Sequence, residues 1–125
     1  MKLFSLVFTT LVAVEHIFIL VVEMFFWDSE LGMKIFKTTQ DFATASKVLA
    51  ANQGLYNGFL ASGLIWALLF IKENKMQREV KLFFLGCIIV AGIFGGLTAK
   101  FSIIFTQGGP AFLAFLFTYL AKDKE

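Results

Sequence analysis

LFSLVFTTLVAVEHIFILVVEMFFW, residues 3–27, is long and apolar enough to cross a bilayer as one helix, which takes about 20 residues. It carries three strongly polar side chains, Glu15, His16 and Glu23, and it ends in Phe25-Phe26-Trp27. Trp27 stands where aromatic anchors sit at a membrane interface. A carboxylate near the centre of such a helix costs roughly 2.5–3.5 kcal/mol on insertion scales, so it needs a partner or a purpose. At about 100° per residue, the three polar residues fall within one arc of about 100° and share a face. The chain's one histidine therefore adjoins its deepest carboxylate. Lys2 ahead of an apolar run imitates a secretory signal. However, the run is longer than a signal core of about 7–15 residues, has Glu15-His16 at its middle, and is followed by no small-x-small cleavage site. It reads as a retained first span.

The remaining composition agrees. Of 125 residues, 58% are hydrophobic and 16% charged, against about 45–50% apolar and about 25% charged in soluble chains. That balance suits a single domain in a lipid bilayer. A lone cysteine, Cys87, excludes an intrachain disulfide. The net charge is only +2 and no basic patch is interleaved with aromatics, so nucleic acid is not an expected partner.

Taken in order, the chain predicts a helix over about 3–27, then an extramembrane loop over 28–40 holding a short interfacial segment. A second helix, capped by Asp41 or a nearby threonine, covers about 42–71. A basic loop follows over 72–81, and a third helix covers about 82–104. Thr106-Gln107-Gly108-Gly109-Pro110 reads as a break, and a short fourth helix over about 110–121 leads into a charged tail. The spans are far longer than barrel strands, and helices satisfy every backbone group in lipid. The expected fold is an all-α membrane protein, a four-helix transmembrane bundle forming one domain. Lys2, Lys72, Lys75, Arg78, Lys81, Lys122 and Lys124 fall on the side of both termini, against Lys34, Lys37, Lys47 and Lys100 on the other. The positive-inside rule then places both termini in the cytoplasm of a multi-pass cell-membrane protein.

In helix 2, Asn52, Gln53, Tyr56 and Asn57 also share one face. Counting about 1.5 Å per residue from the cytoplasmic side sets Tyr56 and Asn57 level with Glu15 and His16. The same count sets Glu23 level with Ala51, beside Asn52 and Gln53, with Lys100 reaching that outer layer and Gln107 near its mouth. These residues form the candidate polar pocket and its outer-layer partners. Gly54 and Gly58 on the back of helix 2, with Ala61 three residues on, have small-xxx-small spacing between the two glycines, as do Gly92 with Gly96, and Ala91, Gly95 and Ala99, in helix 3. Such residues let helices approach closely in lipid. The small-residue face of helix 3 is the candidate homodimer interface. One histidine, one remote cysteine and two buried glutamates are thin supply for a metal site, so none is expected. No cofactor is implied, because no phosphate-cradling glycine loop and no nucleophile elbow are present.

Four blocks of residues carry a resemblance. Glu15-His16-Ile17-Phe18, Glu23-Met24-Phe25-Phe26-Trp27, Asn52-Gln53-Gly54-Leu55-Tyr56-Asn57-Gly58-Phe59-Leu60-Ala61 and Phe105-Thr106-Gln107-Gly108-Gly109-Pro110-Ala111 resemble the small membrane proteins grouped as domain of unknown function 1304. The likeness spans nearly the whole chain. It implies a bacterial integral membrane protein of about four helices and brings no activity with it. In length and helix count the chain is also similar to small multidrug antiporters, in which a helix 1 glutamate exchanges protons for cationic drugs. Glu15 sits where such a glutamate would. His16 beside it, the polar helix 2 and the biased loops are departures, and likeness of architecture does not carry function.

The leading functional expectation is a protein that binds or moves a small molecule at the polar pocket between helices 1 and 2. Glu15 and His16 would be its proton-linked pair, with Asn52, Gln53, Tyr56 and Asn57 supplying hydrogen bonds. One alternative is a membrane enzyme using Glu15 and His16 as acid and base on a lipid-soluble substrate. The other is a non-catalytic assembly partner whose polar layers only specify packing.

Overall fold

The structure, a computed structural model, describes residues 1–121. Lys122 and Lys124, counted above for orientation, lie outside the described residues. The elements in chain order are α1 (Lys2–Phe25), α2 (Glu30–Phe36), α3 (Gln40–Leu69), α4 (Asn74–Thr98), a π-helical turn (Ile104–Gly108) and α5 (Gly109–Leu120). No strand occurs among the described residues. Two helices, Lys2–Phe25 and Asn74–Thr98, are long and apolar enough to cross a membrane, and Ile104–Leu120 forms a shorter apolar helical stretch.

Two boundaries differ from expectation. The basic segment expected as a loop over 72–81 is mostly the start of α4, which begins at Asn74 behind Glu73 in an extended conformation. Lys, Met, Gln, Arg and Glu are all good helix formers, so polarity there marks an exposed helical end rather than a loop. The expected break at Thr106–Pro110 is instead a widened π turn running straight into α5, with Pro110 in its first turn. Proline has no N–H to donate and its ring clashes with the carbonyl four residues back, and local widening upstream accommodates both. The actual interruption falls at 99–101, after the N–H groups of Ala99 and Lys100 both close on Gly95 O, at 2.8 and 3.0 Å.

The chain divides into two compact units. The first comprises Met1–Val14 and the chain from Leu60 onward. Its core is small-residue-rich: Val12 and Ala13 of α1, Leu64 of α3, Leu85 and Ile88 of α4, and Ala111 and Ala114 of α5. Four helices thus contribute to one core. The glycines of α4 set the spacing. A Cβ at Gly92 would stand 3.1 Å from the Gly108 backbone, and one at Gly96 would collide with the Ile104 side chain. Phe4 of α1 stacks on Phe117 of α5 and Phe8 lies tilted against it, at 5.2 and 5.3 Å between ring centroids. At the same end, Ser5 Oγ and Thr118 Oγ1 share a hydrogen bond of 2.6 Å. Arg78 donates to the last carbonyls of α5, Thr118 O at 3.3 Å and Tyr119 O at 2.9 Å. The first turns of α1, the first turns of α4 and the end of α5 therefore meet at one end of this unit.

The second unit is Glu15–Phe59. Here the short interfacial segment expected in the first loop is α2, a seven-residue helix. Ser29 caps its start by accepting from Gly32 N–H at 3.2 Å, and Lys37 closes it in the left-handed conformation at φ 54°. Trp27 ties the turn together: its ring lies 4.8 Å from Phe36, and its Nε1–H donates to Ser46 Oγ of α3 at 3.0 Å. Thr39 Oγ1 accepts from Phe42 N–H at 3.4 Å at the head of α3.

Asp28 and Lys47 complete this unit with an ion pair of 2.9 Å, partly exposed on both sides. The Lys47 hydrogen bond holds the Asp28 carboxyl below its ordinary value. A depressed folded value means the pair's contribution is present above the unfolded carboxylate range, near about 3.9, and fades as pH falls through the folded value. In the Lys47→Met variant, an NMR titration is expected to return Asp28 to the ordinary range. An unchanged midpoint would show that the pair does not form.

Candidate functional site

The polar residues singled out in α1 and in the first part of α3 all belong to the second unit, and the structure joins some of them and separates others. Glu23 is 4% exposed, and its Oε2 accepts from Asn57 Nδ2 at 3.0 Å. The Asn57 amide also donates to Gln53 O one turn back, at 3.1 Å, which holds its side chain in place. His16 is fully buried, 1% exposed. Glu15 is half-buried, and its Oε2 lies out of solvent with no hydrogen-bond partner.

The depth count from sequence is off by about one helical turn. It set Glu23 beside Asn52 and Gln53, and Asn57 in the Glu15 layer, whereas Glu23 meets Asn57. The physical reason is that α3 begins well before α1 ends in register. Its first turns lie against the α1–α2 corner, through Ser46 and Lys47, so its later residues are the ones that reach Glu23.

The facing surface also differs from expectation. The glycine face of α3 meets α1: a Cβ at Gly54 would stand 2.9 Å from Glu23 Cβ and 2.9 Å from Met24 Cγ, and one at Gly58 would collide with Leu20. Asn57, at the edge of that face, is drawn in with it. Asn52, Gln53 and Tyr56 are exposed. Asn52 Nδ2 bonds back to Val48 O at 3.1 Å, and the Tyr56 ring lies 6.1 Å from Phe59. Lys100 is exposed just after α4, and Gln107 is half-buried in the π turn; both belong to the first unit.

Chemically, the second unit offers a carboxyl held by an amide, a buried imidazole, and a second carboxyl with one shielded, unpartnered oxygen. Such groups can bind a proton or a cationic or hydrogen-bonding ligand. No three His, Cys, Asp or Glu side chains are grouped to hold a metal ion among the described residues. One polar cluster has no sequence counterpart: Ser5, Lys81 and Thr118 in the first unit, all buried. Each alone is unremarked in sequence, two hydroxyls in apolar helices and the last residue of a basic run.

Comparison with known proteins places these residues in context. The chain is 34% identical over 121 residues to the uncharacterized protein YpaA of Lactococcus lactis subsp. lactis (strain IL1403), covering 95% of this chain and 99% of that protein. No solved structure matches it. A family model matches residues 10–119, which include Glu15, His16 and Glu23 of α1 and Asn52, Gln53, Tyr56 and Asn57 of α3. The chain belongs to the family described as protein of unknown function (DUF1304).

Proposed function

We propose that this chain crosses the cell membrane four times, with both termini cytoplasmic, and binds or transports a small cationic molecule in exchange for a proton at Glu15. The membrane part is supported by an inverted distribution of polarity. Among the described residues, six polar or charged ones are buried, Ser5, Thr9, His16, Glu23, Lys81 and Thr118, while large apolar side chains such as Phe18, Phe94 and Leu97 are exposed. Water-soluble proteins rarely bury charged residues while leaving so many large apolar side chains exposed. Two helices of spanning length, and the excess of basic residues on one side, point the same way.

The observation that carries the ligand part is Glu15 Oε2, shielded from solvent and unpartnered, beside the buried His16. An ionisable group in a membrane helix marks a pathway or a relay by default. Glu23 and Asn57 supply the fixed end of the site. In proteoliposomes, wild type is expected to move a lipophilic fluorescent cation against an imposed proton gradient. Glu15→Gln, which keeps shape and removes the titrating group, is expected to fall to the protein-free background. Equal flux in both, or none in either, is the contrary result.

The exposed polar face of α3 favours a second reading, in which Asn52, Gln53 and Tyr56 are covered by another membrane chain, since polar side chains act as glue between helices in lipid. A second copy, through this face or through the exposed Ala91 of α4 and Ala99 just after it, is the partner proposed.

A further inference from the structure

A cavity of about 210 Å³ opens at the end of the first unit where α1 starts, α4 starts and α5 ends. Its polar lining includes Lys2, Ser5, Gln77, Arg78, Lys81 and Thr118, and no aspartate or glutamate is among the described lining residues. Arg78 is anchored by two hydrogen bonds to the last carbonyls of α5 and lies over the Tyr119 ring at 5.5 Å. That contact uses two of its five N–H donors and fixes the orientation of the planar fork.

Lys81 is the group that α5 capping does not explain. It is only 6% exposed, and its ammonium makes one long hydrogen bond, 3.4 Å to Ser5 Oγ. Ser5 Oγ is already engaged with Thr118 Oγ1 at 2.6 Å. An ammonium has three donors, and a buried cation without an anion is costly by several kcal/mol. A lysine at a helix end ordinarily extends its head to water; this one turns inward. The cavity therefore sets the Lys81 ammonium and the Arg78 guanidinium beside two hydroxyls, with no carboxylate among its described lining residues.

We propose that this cavity binds a phosphate group, carried either by a phospholipid headgroup or by a soluble phosphate compound. Phosphate suits it better than a carboxylate because its several acceptor oxygens can engage a guanidinium fork, an ammonium and a hydroxyl together. Lys81 stands seven residues into α4, roughly 10 Å along the helix from Asn74. In the proposed topology that is the cytoplasmic headgroup region, where basic residues meet anionic lipid. The site is distinct from Glu15 and does not depend on the transport reading.

The test uses the full-length protein stripped of lipid in a glycosidic detergent, with Tm followed on adding a probe. One arm adds inorganic phosphate against chloride at matched ionic strength. The other adds phosphatidylglycerol against diacylglycerol of the same chains, which lacks only the phosphoglycerol headgroup. A Tm rise with phosphate alone assigns a soluble ligand, and a rise with phosphatidylglycerol alone assigns a lipid. In either case, Lys81→Met is expected to abolish the rise. Arg78→Lys, which keeps the charge and loses the planar fork, is expected to reduce it, so the outcome does not hang on Lys81→Met folding. No rise in either arm, an equal rise with diacylglycerol, or a rise unchanged in both variants would overturn the proposal.

Discussion

Asn57→Leu is expected to destabilise the protein by about 2 kcal/mol, a large effect for one side chain in a membrane helix. Hydrogen bonds between membrane helices average about 0.6 kcal/mol and reach about 1.7 kcal/mol, because the unfolded helices find other partners. The Glu23 pair lies above that range for a specific reason. Glu23 is 4% exposed, so removing the Asn57 amide strands a carboxyl where water does not reach. A double-mutant cycle separates the bond from the packing. Glu23→Leu with Asn57→Leu is expected to recover at least about 1 kcal/mol relative to the sum of the single variants, beyond the roughly 0.5 kcal/mol scatter of independent sites. Additive effects would show that the two side chains do not interact.

Gly32→Ala is expected to cost about 3 kcal/mol, at the upper end for overpacking. A Cβ at Gly32 would collide with the backbone oxygen of Phe26 and stand 2.6 Å from that of Trp27. Carbonyl oxygens cannot rotate away as a side chain can. Relief requires moving α2 off the end of α1, which pulls Phe36 away from the Trp27 ring. Trp27 fluorescence in a Trp66→Phe background reports this directly, with a lower Tm and a red-shifted emission expected. Gly54→Ala makes the comparison: its new methyl would stand 2.9 Å from Glu23 Cβ and Met24 Cγ and 3.1 Å from Leu20 O, a lesser overlap than at Gly32, so a smaller loss is expected there. Indistinguishable Tm values for wild type and Gly32→Ala would mean that α2 does not sit as described.

Most helices are legible in the sequence because hydropathy and length determine them, as in residues 3–27. The start of α4 is not, because Lys75, Gln77, Arg78 and Glu79 are equally suited to a loop and to an exposed helical end. The site is legible in residue type and only partly in arrangement. Helical periodicity places Asn52, Gln53 and Tyr56 on one face of α3, but it does not say which face meets a neighbour. Close approach decides that: Gly54 and Gly58 let α1 come nearer than any polar face would, and only Asn57, at the border of the two faces, reaches Glu23. The cluster of Ser5, Lys81 and Thr118 was invisible for a different reason. Ser5 and Thr118 are 113 residues apart, and no local pattern announces contacts at that separation.

Infrared difference spectroscopy of the protein in lipid, wild type against Glu15→Gln across a pH titration, examines the central claim most directly. Proton exchange at Glu15 requires a carboxyl band that disappears in the variant and that responds reversibly to bulk pH in wild type, with a shift in that band when the transported cation is added. A band assigned to Glu15 that stays constant at every pH and with every cation would make the residue a sealed structural group. It would contradict transport or binding at this site.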